Sequence, residues 1–142
     1  MNTVNRVVLA GFGLLSLAAG AASADVVAVV SANSTIVTLS KTQVTDIFLG
    51  RVSRFPDGAQ AVPIDQAEGS TIRDQFYVKV AGKSPAQVKA FWSKIIFTGR
   101  GRPPKAVSNS IEMKKRIAEN PAAIGYIESQ LVDGTVRVVL QL

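Results

Sequence analysis

The sequence predicts an α/β domain, a single lobe in which a mixed sheet is flanked by helices. Two observations carry that prediction. β-Branched and apolar runs alternate along the chain with segments that open on helix-capping signals, the pattern of layered α/β domains. No repeat, low-complexity stretch or long linker interrupts the alternation.

The first 24 residues stand apart from it. Met1–Arg6 is short and polar with one cation, Val7–Gly20 is an apolar run broken only by Ser16, and Ala22-Ser23-Ala24 offers small residues for cleavage before Asp25. The apolar run has 14 residues, short of the roughly 20 that span a bilayer. Residues 1–24 are therefore expected to be a cleaved signal peptide, giving a periplasmic or secreted product with no stable membrane insertion. Residues 25–142 form the domain, 118 residues in one unit of ordinary size.

The elements follow in order. Asp25–Ser31 (DVVAVVS) has the composition of a strand buried on both faces. Ser40 and Gln43 form a capping box before the apolar positions Val44, Ile47 and Phe48, and Gly50 ends that helix. Phe55-Pro56-Asp57-Gly58 is turn chemistry. Ala61–Asp65 is a second strand, and Gly69-Ser70 opens a helix reaching about Val80. Ser84 and Gln87 make a second capping box, with Pro85 at the first helical position. That helix runs to about Phe97 and is expected to bury Val88, Phe91, Trp92 and Ile95. Gly99 to Pro104 reads as an irregular basic loop, and Ser110–Glu119 as a helix stopped by Asn120-Pro121. Ala123–Glu128 and Thr135–Leu140 are the last strands, joined by a turn containing Asp133-Gly134.

Composition narrows the chemistry. The chain has no Cys and no His, which removes disulfides and the bases of Ser-His and Cys-His catalysis, and argues against zinc, copper or haem. Among the carboxylates, Asp65 and Glu68 are the nearest to a pair, and nothing else supports hydrolysis. No catalytic residue, metal or cofactor is predicted. The net charge is +6, or +5 without Arg6, which suits an anionic ligand or surface. The cations are dispersed and the few aromatics do not interleave with them, so nucleic acid is not expected.

Asp65 to Arg73 is the most informative stretch. Gly69 permits a tight turn, and Ser70 at the N-cap precedes the free amides of a first helical turn, which attract anions. The Ser70 and Thr71 hydroxyls and the Arg73 guanidinium could add donors. The plainer alternative is that Ser70 only caps its helix while Arg73 pairs with Glu68 or Asp74. Arg100, between Gly99 and Gly101, could belong to a backbone nest or to a solvated loop. Lys114-Lys115-Arg116 reads as a solvated helix face, Phe91 and Trp92 as packing, and Tyr126 as a residue able to point its hydroxyl into a cleft.

Several of these segments resemble the phosphate-binding proteins of ABC transporters. Asp46-Ile47-Phe48-Leu49-Gly50-Arg51, Phe55-Pro56-Asp57-Gly58, Val62-Pro63-Ile64-Asp65 and Pro121-Ala122-Ala123-Ile124-Gly125-Tyr126-Ile127 occur in that family's order. The resemblance covers roughly residues 25–142 and is strongest to short, single-lobe members of the type 2 periplasmic-binding superfamily. It implies a periplasmic-binding-protein-like lobe and a phosphate or oxyanion site at Gln66, Gly69, Ser70, Thr71 and Arg73, with Arg100 a further candidate. It also implies an ABC permease or another periplasmic protein as partner. The family loop reads Gly-Ser-Gly-Thr after an Arg, whereas here Gly69-Ser70-Thr71-Ile72 follows Gln66, leaving Arg73 to supply the charge.

Overall fold

The computed structural model describes residues 25–142, and the expected signal peptide lies outside the described residues. The elements are β1 (Val26–Ser31), α1 (Lys41–Phe48), β2 (Val62–Gln66), α2 (Thr71–Ala81), α3 (Pro85–Phe97), β3 (Lys105–Val107), α4 (Ser110–Glu119), β4 (Ala123–Glu128) and β5 (Val136–Gln141). The strands form one sheet in the order β3-β2-β4-β1-β5. β2 runs parallel to β3 and β4, and β1 runs antiparallel to β4 and β5. The predicted mixed sheet flanked by helices is the observed architecture.

Local chemistry accounts for most of the boundaries. Ser40 and Gln43 complete the capping box of α1, with backbone-to-side-chain bonds of 3.1 and 2.8 Å, and Ser84 and Gln87 repeat it on α3 at 3.2 and 2.8 Å. Gly50 ends α1 at φ +71°, a conformation that costs glycine least. Pro56-Asp57 turns as expected, with Gly58 N–H donating to Phe55 O at 2.9 Å. β1 is buried along its whole length, as its unbroken apolar run requires. No helix among the described residues is long and apolar enough to cross a membrane.

The two faces of the sheet are covered differently. Tyr126 on β4 stacks on Phe76 of α2 at 3.9 Å between ring centroids, and Phe76 meets Phe48 of α1 edge-on at 4.8 Å. Its neighbour Gly125 points to the opposite face, where α4 lies so close that a β-carbon would approach Ile117 Cδ1 to 3.0 Å. Alternation along one strand thus separates an aromatic layer under α1 and α2 from a close-packed layer under α4.

Two features go beyond the expectations and one expectation needs correction. Lys105–Val107 forms a parallel edge strand that the sequence does not announce, because three residues after Pro103-Pro104 are too few for a period to show. The turn at Asp133-Gly134 is present as expected, with Val136 N–H donating to Asp133 O at 3.4 Å, but the strands it joins are not neighbours, since β1 lies between β4 and β5 and a 3-10 turn at Ser129–Leu131 begins the crossing. On α3 only Val88 and Trp92 are fully buried, and Phe91 and Ile95 are half-buried. That helix packs on α2 rather than on the sheet, so a narrower stripe of it is covered.

Candidate functional site

The carboxyl end of β2 delivers two buried polar residues, Asp65 and Gln66, to the start of α2. The turn between them and the helix closes through Ser70 N–H donating to Ala67 O at 3.1 Å, with Gly69 at φ +93°. Ser70 is the N-cap: its hydroxyl accepts from Arg73 N–H at 3.2 Å and donates to Gln66 Oε1 at 3.0 Å. The Gln66 amide nitrogen then donates to Ser110 Oγ at 2.9 Å and Tyr126 O at 3.3 Å. One chain of hydrogen bonds therefore links the amino ends of α2 and α4 to β4.

Asp65 is the centre of a second, charged network. Its Oδ2 accepts from the Tyr77 hydroxyl at 2.7 Å and from Arg73 Nε at 3.3 Å. Its Oδ1 accepts from the Tyr126 hydroxyl in a short hydrogen bond and from Gln66 N–H at 2.9 Å. The Arg73 guanidinium lies 5.1 Å from the centre of the Tyr77 ring. Burial first, and the Asp65 charge beside them second, push the Tyr77 and Tyr126 hydroxyls far above the ordinary tyrosine range. Partial burial opposes the Arg73 charge, but Asp65 and the two tyrosines outweigh it, and the net shift is upward.

The expected site residues thus fall into two groups. Gln66, Ser70 and Arg73 are brought together, while Gly69 and Thr71 lie exposed at the rim of the same turn. Arg100 is exposed beyond the end of α3 and makes no hydrogen bond or ion pair with this cluster among the described residues. Arg73 pairs with Asp65 rather than with Glu68 or Asp74, and Glu68 instead meets Lys89 at 3.5 Å. Tyr126 points its hydroxyl into the protein, not into an open cleft. Tyr77 is the member that sequence reasoning missed. Its position four residues after Arg73, on one face of α2, was the available signal.

What this arrangement offers chemically is a set of hydrogen-bond donors not used within the fold. The Thr71 and Ile72 amides, at the positive end of α2, donate to no acceptor among the described residues. Arg73 uses only Nε on Asp65, so its two terminal nitrogens remain without a described partner.

No family model matches the sequence, and no curated protein matches it either. Solved structures do share the fold, which is that of one lobe of periplasmic-binding-protein-like structures. A Clostridium perfringens protein with bound phosphate, provisionally classed as a phosphate ABC transporter substrate-binding protein, matches with a TM-score of 0.66 at 22% identity. The match covers 82% of this chain and 44% of that one. An ABC-type phosphate transport receptor from Vibrio cholerae matches with a TM-score of 0.64 at 17% identity, over 82% of this chain and 46% of the receptor. This chain therefore spans a little under half the length of the structures it resembles.

Proposed function

We propose that the chain is an exported, single-lobe binding protein that holds phosphate or a related oxyanion at the amino end of α2, for ABC-type uptake or sensing. The observation that carries this reading is the coincidence of two free first-turn amides with the unpartnered terminal nitrogens of Arg73. Both belong to the first turn of α2, which follows the carboxyl end of β2, in a fold whose solved neighbour contains phosphate. Backbone amides and a guanidinium fork are the donors an oxyanion needs. The Ser70 hydroxyl would hold the turn in shape rather than reach the ligand, because it already donates to Gln66.

The test is titration calorimetry of the protein with phosphate, and with sulfate as the comparison, at fixed ionic strength. Saturable heats for phosphate that Arg73→Ala weakens support the reading. One observation favours a second reading, an accessory or interaction protein that has lost its ligand: Ser70 and Gln66 are both spent on internal hydrogen bonds. Heats no larger than dilution for both anions would decide for it.

A further inference from the structure

A groove of about 680 Å³ opens along the β3 edge of β2, lined from Val62 at the start of that strand to Val107, the register partner of Gln66. It exists because β3 is short. β3 begins with Lys105 opposite Ile64, so Val62 and Pro63 have no strand beside them on that edge, and Pro63 has no N–H to offer one. The last turn of α1 and Trp92 of α3 close the side, where the indole edge lies 3.3 Å from the place a β-carbon on Gly50 would occupy. Ser70 and Arg73 are not among the residues that line the groove.

Its lining divides by chemistry. Val62, Pro63 and Trp92 contribute an apolar wall, and Arg102, Lys105 and Arg116 contribute three cations, with no acidic residue among the lining groups. Arg102 and Lys105 form no ion pair among the described residues, while Arg116 is shared with Glu112 at 3.7 Å. The Trp92 indole nitrogen is buried with no acceptor among the described residues, an uncommon and costly state for a donor.

We infer that this groove binds a small amphiphilic anion, a molecule with an apolar body and one carboxylate, sulfonate or phosphate head. The body lies on Val62, Pro63 and Trp92, and the head meets Arg102, Lys105 and Arg116. A groove of this volume accommodates an ordinary small-molecule ligand. A bare inorganic oxyanion would leave the apolar wall wet, a neutral hydrocarbon would leave the cations unused, and a cationic amphiphile would be repelled.

Trp92 is the only tryptophan in the chain, so its indole N–H gives a single nitrogen-15 resonance that reports on this groove. The experiment titrates the protein with decanoate below its micelle concentration, and separately with decanol, decyltrimethylammonium and inorganic phosphate. Decanoate is expected to move the indole resonance saturably. The pair Arg102→Glu and Lys105→Glu should weaken that binding by at least about tenfold, and Ser70→Ala should leave it unchanged. The inference is overturned if decanol or the cationic amphiphile moves the resonance as decanoate does. It is equally overturned if phosphate alone does so, if decanoate gives no saturable shift, or if the double charge reversal leaves decanoate binding intact. Because Ser70 and Arg73 do not line this groove, a failure here and a failure of the oxyanion site are told apart.

Discussion

Arg73 reaches past the two acids nearest it in sequence and donates from Nε to Asp65 Oδ2 at 3.3 Å, tying the first turn of α2 to the end of β2. The side chains are only 12% and 5% exposed, so little water screens the pair. Two tyrosine hydroxyls donate to the same carboxylate. The cluster therefore holds the candidate anion site in place while consuming one nitrogen of the arginine that would serve it.

Replacing the carboxylate tests that tie. Asp65→Asn keeps the volume but leaves the Arg73 charge half-buried without its counter-ion, and presents an amide to hydroxyls that need an acceptor. Breaking such a pair from one side costs about 3 kcal/mol. Urea unfolding should show this as a lower midpoint with an unchanged slope, and a midpoint equal to the parent's would refute it.

The tyrosines give a pH prediction. Both tyrosines of the chain belong to this cluster, and both are raised in the folded protein. A raised tyrosine contributes stability that is fully present below its unfolded value of about 10 and is lost as pH climbs beyond it. Stability should therefore be insensitive to these groups at neutral pH and fall in alkali. Tyrosinate absorbance should appear together with loss of helical circular dichroism, and its appearance in a still-folded protein would contradict the cluster.

At Gly125 the prediction is steric. An alanine there would drive its β-carbon into Met113 Sδ and Ile117 Cδ1 under α4. Overpacking of this kind costs about 1–3 kcal/mol. Adding Met113→Ala should return part of the loss, so the two substitutions should be non-additive in a double-mutant cycle. Strict additivity would mean that α4 moves away as a body.

Ser70→Ala separates capping from ligand binding. Loss of an N-cap hydroxyl costs about 1 kcal/mol, and here Gln66 Oε1 also loses its donor. Thermal unfolding should fall by that amount with or without phosphate, while Arg73→Ala should remove the stabilisation that phosphate provides. If Ser70→Ala abolished the phosphate effect and Arg73→Ala did not, the hydroxyl rather than the guanidinium would be the ligand group.

How much of this was legible in the sequence follows the range of the interactions involved. Ser40, Ser84 and Ser70 act on backbone three residues away, and Asp25–Ser31 reveals its two-sided burial by composition, so α1, α2, α3 and β1 could be read locally. Ser110–Glu119 also matched its reading, stopped by Asn120-Pro121. The partner of Arg73 could not be read this way, because Glu68 and Asp74 look equally near in the chain, and only the strand-to-helix turn brings Asp65 closer. β3 was hidden for a related reason: its identity as a strand lies in its pairing with Ile64–Gln66, not in its own three residues. The groove beside it depends on that same pairing and on where it stops.

The position of β1 in the sheet has a consequence for how the molecule assembles. Val26 pairs with Glu128 and Val27 with Gln141, so the first of the described strands is completed on both edges only by the last two. Until nearly the whole domain is present, an apolar segment rich in valine has neither of its neighbours. Contacts so distant in sequence slow folding, and a waiting strand of this composition is open to pairing with its counterpart in another chain. Among the described strands, β1 is thus the one most open to aggregation whenever β4 and β5 are not yet in place.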